Sequence, residues 1–205
     1  MRKLYFLVFM TLDGVMQSDD GPEVDPSGGF TYGGWSTPYF DDFLEQSLAE
    51  YQSRPFDFVL GRKTYEQFAA FWPYQTTDTF PLAERINTAH KYVASTTLQK
   101  LDWSNSTLLQ GDVVQAIKQL KQEDGPIFQV SGSSHFLQTL LAHDLVDELY
   151  LYICPITLGV GKRVFGEGTI PAAFTLRDVK ASPRGVVIAT YERAGDVQTG
   201  EGASS

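Results

Sequence analysis

The chain reads as an α/β protein: a three-layer α/β/α domain with a mostly parallel central sheet and an antiparallel C-terminal hairpin. Three observations predict this. Short apolar runs of strand length alternate with segments of helical periodicity, the order that builds a parallel sheet covered on both faces. The first run, residues 4–10 (LYFLVFM), is apolar throughout, as a strand buried on both sides must be. The last part changes character: two strand-like runs are joined by Ser182-Pro183-Arg184-Gly185, a good hairpin turn. At 205 residues the chain suits one domain with a sizeable core.

The elements follow in order. After the first strand comes a long irregular stretch, residues 13–37, with six glycines, two prolines and five acids. Stretches of that length inside a domain usually serve function. Residues 38–52 predict a helix, capped by Thr37, with Phe40, Phe43, Leu44, Leu48 and Tyr51 on one face. Residues 56–60 (FDFVL) are a strand, and 65–71 a short helix. Residues 91–94 and 106–109 are strands, 113–122 a helix opened by Asp112, and 127–130 a strand. A helix through about residue 142 and a strand over 148–153 follow, then the hairpin strands 174–181 and 186–192. The domain spans residues 1–193, and residues 194–205 (AGDVQTGEGASS) read as a disordered tail with almost nothing to bury.

Composition excludes several functions. The net charge of −9, without a basic run, disfavours nucleic acid and anionic membrane surfaces. The single cysteine, Cys154, allows no internal disulfide and sits in an apolar run, where a buried inert thiol is expected. Three scattered histidines give no metal-ligand spacing, so no metal is expected. No apolar run is long enough to span a bilayer, and residues 4–10 read as a strand and not a signal peptide. A cytoplasmic protein is the expectation.

Chemistry is placed by three strand ends: Gly61-Arg62-Lys63-Thr64, Ser95-Thr96-Thr97 and Ser131-Gly132-Ser133-Ser134. In open α/β sheets ligands bind beyond the carboxyl ends of the strands. Two of these segments lead into helices, whose N-termini offer free N–H groups and partial positive charge to phosphate. Arg62 and Lys63 add formal charge. The sum describes a phosphate-rich ligand such as a dinucleotide, although neither a G-x-G-x-x-G nor a P-loop motif is present.

The ordered series Thr11-Leu12-Asp13-Gly14, Leu60-Gly61-Arg62-Lys63-Thr64-Tyr65-Glu66, Val130-Ser131-Gly132-Ser133, Leu145-Val146-Asp147-Glu148-Leu149 and Pro155-Ile156-x-Leu158-Gly159-x-Gly161-Lys162-Arg163-x-Phe165 resembles the dihydrofolate reductase superfamily. Within it, the series is most similar to the reductase domain of bifunctional riboflavin-biosynthesis proteins, over about residues 3–193. The resemblance implies NADPH across the strand ends. Gly61, Arg62, Lys63 and Thr64 would hold the pyrophosphate and adenosine phosphate. Ser95 and Thr96 would lie near the 2′-phosphate, and Ser131, Gly132, Ser133 and Ser134 would form the second phosphate turn. That turn is Gly-Gly in dihydrofolate reductases, so here the close approach is kept at one glycine.

Two acids are the candidate catalytic residues under the same resemblance. Asp13 lies in the L-D-G motif; the branch usually continues with Lys, and here Val15 follows. Asp41 arrives one residue late in the family's W-x-x-P-x-[DE] pattern, with Phe40 in the acid's place. The implied activity is NADPH-dependent hydride transfer to a small heterocyclic or carbonyl/imine substrate. The alternatives are a riboflavin-pathway 5-amino-6-(5-phosphoribosylamino)uracil reductase and a nucleotide-binding protein without turnover. A homodimer is expected, as is a lid formed by the glycine-rich stretch, with residues 16–29 moving.

Overall fold

Strand β1 (Leu4–Thr11) lies in the middle of the sheet because both of its faces are apolar. Leu4, Phe6, Val8 and Met10 point into one core cluster, Tyr5 and Leu7 into another. The computed structural model describes residues 1–19, 21, 25–166 and 169–200. Its further strands are β2 (Phe56–Gly61), β3 (Lys91–Ala94), β4 (Ser106–Leu109), β5 (Ile127–Val130), β6 (Glu148–Cys154), β7 (Ala173–Ala181) and β8 (Val187–Gly195). The order across the sheet is β4-β3-β2-β5-β1-β6-β8-β7. The first six strands pair in parallel, while β8 runs antiparallel to β6 and β7 antiparallel to β8.

Among the described residues, five α-helices cover the two faces: α1 (Asp42–Tyr51), α2 (Arg62–Phe71), α3 (Ala83–Thr88), α4 (Val113–Gln122) and α5 (Ser134–Ala142). Ile117 of α4 and Leu137 and Leu140 of α5 pack on the Leu4 face of β1. Leu44 of α1 packs on Tyr5, Tyr150 and Tyr152. Tyr65 of α2 and Ile86 of α3 pack on Phe56, Phe58 and Leu60. Ile127 touches both of these last two clusters, so α1, α2 and α3 share one face. The parallel strands β2, β5, β1 and β6 are neighbours, so their carboxyl ends form one edge, where the loops carrying chemistry converge.

The expected architecture is present, with local corrections. The helix expected over 38–52 starts at Asp42. Thr37–Tyr39 instead forms a separate 3₁₀ turn, and Thr37 caps nothing. Asp41, extended at φ −145°, is the N-cap and accepts the Leu44 N–H at 3.0 Å. Helix α2 starts at Arg62, directly after Gly61, and α3 was not expected. Strand β8 runs on to Gly195, which pairs with Ala173, so the first two residues assigned to the tail belong to the sheet. Residues 201–205 lie outside the described residues.

One buried lysine gives the fold a pH signature. Lys91, at the start of β3, is wholly buried. Its ammonium donates to the carbonyls of Asn87 (2.6 Å) and Ser104 (3.2 Å) and lies 4.1 Å from the Trp103 ring centre. Burial lowers it from its ordinary 10.5 to about 8. Between those values the folded chain has released a proton that the unfolded chain still holds, so this residue makes stability rise with pH. The rise is on the order of 3 kcal/mol. Urea unfolding should show Lys91→Met losing that much relative to wild type across the window; a pH-independent difference would refute this.

Candidate active site

The site is built where β2 and β5 lie side by side. Each strand runs straight into a helix, and the two turns touch: the Gly61 N–H donates to the Gly132 carbonyl at 3.3 Å. A Cβ at Gly61 would sit 2.7 Å from Ser133 Oγ, and one at Gly132 would sit 2.8 Å from Thr64 Oγ1. Glycine at both positions therefore lets the two helix starts come together. The N-caps of α2 and α5, Gly61 and Ser133, offer no side-chain hydrogen bond to their helices. The first N–H groups of two adjacent helices are left for a ligand, and an anion is what their dipoles favour.

These turns open on a cleft of about 510 Å³. Lys63, Thr64, Ser131, Gly132, Ser133 and Ser134 line it. Arg62 turns aside and pairs with Glu66, with both carboxylate oxygens at 3.0 Å. Gly61 pairs with Ala94 across the sheet, which places Ser95 and Thr96 just past the strand end beside α2. They do not line the cleft; the Ser95 hydroxyl accepts the N–H groups of Thr97 (3.1 Å) and Leu98 (3.0 Å) and closes its own turn.

The opposite wall went unassigned in the sequence reading. Lys162 and Arg163 line the cleft with Gln17, Asp19 and Asp25. Lys162 is bonded to the Asp25 carboxylate and donates to Ser27 Oγ at 2.7 Å, while Lys63 lies 3.8 Å from Asp25. Burial works to raise the Asp25 carboxyl, but the Lys162 ammonium and the Ser27 hydroxyl hold it below its ordinary range. Asp25 is thus the counter-ion of a cationic cleft. A signal was present in the sequence: the acidic chain has three adjacent Lys/Arg pairs, at 2–3, 62–63 and 162–163, and two of them reach this cleft. The stretch expected to move is tied near both ends, since Trp35 Nε1 donates to the Gln17 carbonyl at 2.8 Å and Gln17 Nε2 to that of Asp25 at 2.8 Å. Residues 20 and 22–24 of that stretch lie outside the described residues.

Neither acid expected to do chemistry lines the cleft. Asp13 takes a hydrogen bond from the Thr11 hydroxyl (2.6 Å) and from the N–H groups of Leu158 (3.1 Å) and Gly159 (2.8 Å). Those bonds hold its carboxyl far below the usual range despite partial burial, so it is a permanent anion that fixes the 156–163 loop. Asp41 Oδ1 caps α1, and Oδ2 is buried with no hydrogen-bond partner among the described residues. Val15 is fully buried and bridges to Arg163, so this position contributes no cation. The Cys154 thiol is pushed up to about 12 by burial and stays inert.

The sheet order and the helices packed on its two faces are those of the dihydrofolate reductase-like fold. The chain belongs to the RibD C-terminal domain family, whose profile matches residues 2–188. Bacillus subtilis (strain 168) YyaP is 28% identical over 171 residues, 80% of each chain. A protein from Shewanella sp. PV-4 assigned to riboflavin biosynthesis superposes with a TM-score of 0.63 at 22% identity, covering 95% of this chain and 99% of that one. The Thermotoga maritima diaminohydroxyphosphoribosylaminopyrimidine deaminase/5-amino-6-(5-phosphoribosylamino)uracil reductase superposes with a TM-score of 0.60 at 15% identity, over 94% of this chain and 57% of that one. Among the described residues, no helix is long and apolar enough to cross a membrane.

Proposed function

We propose that this chain is an NADPH-dependent reductase that transfers hydride to a small heterocyclic or carbonyl/imine substrate. The observation that carries the reading is the pair of touching turns, whose glycines let two uncapped helix starts meet beside the cleft. The cofactor supplies the hydride when bound. The chain does the rest. The starts of α2 and α5 hold the phosphates, and Lys63 and Lys162 exchange Asp25 for them as counter-ion. Asp13 positions the 156–163 loop. The second reading is the riboflavin-pathway reductase, favoured by the activity named for the Thermotoga maritima neighbour. NADPH oxidation with a substrate panel that includes a phosphoribosylaminopyrimidine separates them. Binding without turnover on any substrate would leave a nucleotide-binding protein.

NADPH should bind more tightly than NADH, because Arg62, Lys63, Ser95 and Thr96 gather where the adenosine end would lie. Replacing Arg62 and Lys63 together by Ala should weaken NADPH by about tenfold to a few hundredfold and narrow the preference, charge-assisted hydrogen bonds being worth roughly 1.5–3 kcal/mol each. Equal affinity for both cofactors in wild type, read by calorimetry, would sink this.

The same proposal makes the protein a cytoplasmic homodimer with no nucleic-acid or membrane partner. Support for pairing comes from the sheet edge, where β7 leaves Leu176 and Val179 about half exposed. Sedimentation at micromolar concentration should give twice the chain mass of 22.8 kDa. A single-chain mass would overturn it.

A further inference from the structure

The polar lining of the cleft reaches into the core at one point. Ser131 follows the last residue of β5 and lines the cleft. Two residues back, on the same side of the strand, lies Gln129, only 2% exposed. A glutamine in the middle of a buried parallel strand needs partners for both ends of its amide. Gln129 Oε1 accepts from the Tyr5 hydroxyl at 2.6 Å and from the Gln52 side-chain amide at 3.3 Å. Gln129 Nε2 donates to Ser131 Oγ at 3.0 Å.

The direction of this chain is set from its inner end. Tyr5 is 1% exposed, and its hydroxyl and the Gln52 side-chain amide both donate to Oε1. The amide therefore presents N–H to Ser131. Among the described residues, the Gln129 amide is the hydrogen-bond partner of the Ser131 hydroxyl, and it occupies a lone pair. The Ser131 O–H is left to donate, in the cleft that Ser131 lines beside the two helix starts.

We propose that Gln129 is a positioning residue that fixes Ser131 as a hydrogen-bond donor to an anionic oxygen of the bound nucleotide. The assignment rests on the nucleotide reading of the cleft and adds a polarity to it. A freely rotating serine offers a donor or an acceptor to a ligand, and only the donor suits phosphate. Gln129 removes that choice before the ligand arrives, so its orientation carries no further entropic penalty on binding.

Calorimetric titration of the full chain with NADPH tests this. Ser131→Ala should weaken NADPH by about tenfold or more, the usual worth of a hydrogen bond to a charged group, and Ser131→Thr should retain most of the affinity. Gln129→Glu reverses the polarity: an ionised Glu accepts the serine proton and turns a lone pair toward the phosphate. That variant should lose affinity as Ser131→Ala does at about pH 9. It should regain affinity relative to wild type toward about pH 6, where a protonated Glu can donate in place of the amide. In the Ser131→Ala background, Gln129→Glu should have no added effect on affinity. A purely structural Gln129 would give additive losses and no pH recovery, and that result would overturn the proposal. Should Gln129→Glu not fold, the Ser131→Ala and Ser131→Thr pair decides: Ala matching wild type overturns it. Wild type that fails to bind NADPH overturns the nucleotide reading itself, and the proposal with it.

Discussion

Gly132→Ala should lower NADPH affinity by ~100-fold or more while leaving the chain folded. Two effects combine at this position. The residue sits at φ +134°, a conformation that L side chains rarely adopt, which costs on the order of 1–3 kcal/mol. The new Cβ would also lie 2.8 Å from Thr64 Oγ1. Thr64 is buried in the first turn of α2. The two turns must separate, and a shift of about 1 Å in a binding constellation is enough to lose two orders of magnitude. Gly61→Ala should be milder. Its φ of −73° suits any residue, and the nearest obstacle is the Ser133 hydroxyl, which can rotate. Gly111→Ala is the control: its φ is +71° with nothing within 4 Å, so it should lose stability without losing affinity. If Gly132→Ala binds NADPH like wild type, the touching turns are not the phosphate cradle.

What was legible in the sequence is what local chemistry determines. The all-apolar run of β1 announced a strand covered twice, Asp112 announced the start of α4, and Ser182 to Gly185 announced the hairpin. The Gly61 and Ser131 turns were legible because a strand-to-helix junction needs small residues at that point. The start of α1 was misplaced by four residues because Thr37-Pro38 begins a helical turn of its own, and the stronger cap, Asp41, lies beyond it. Helix α3 has six residues, too few for periodicity to show. The second wall of the cleft was illegible for a different reason. Lys162 finds Asp25 across 137 residues, and Asp13 finds Gly159 across 146. The L-G-x-G-K-R segment was visible as a motif, but only the fold shows that its cations face those of α2. The Ser95 turn reads two ways, because a self-closing serine turn and a phosphate-binding turn use the same residues.

Asp147→Ala should destabilise the protein by about 3–5 kcal/mol without changing the cleft. Asp147 lies at the opposite end of the sheet, where β1 begins. Its Oδ2 accepts the Leu4 N–H at 2.7 Å and the Lys121 ammonium at 2.6 Å. Lys121 is 6% exposed, and its other described bond is to the Leu145 carbonyl at 2.9 Å. Removing the carboxylate therefore strands a buried cation and orphans the first N–H of the central strand. Most of the loss comes from the stranded charge, since removing one partner of a buried pair is far more damaging than replacing both. That distinction can be measured. Asp147→Ala with Lys121→Met removes the cation as well, and should recover more than half of the lost stability in urea unfolding. Asp147→Asn keeps an acceptor for Leu4 and should fall between. If the double variant is as unstable as the sum of its parts, the carboxylate acts through the strand N–H and not through Lys121. NADPH affinity should be the same in every variant that folds, because the parallel strands place this pair a full strand length from the cleft.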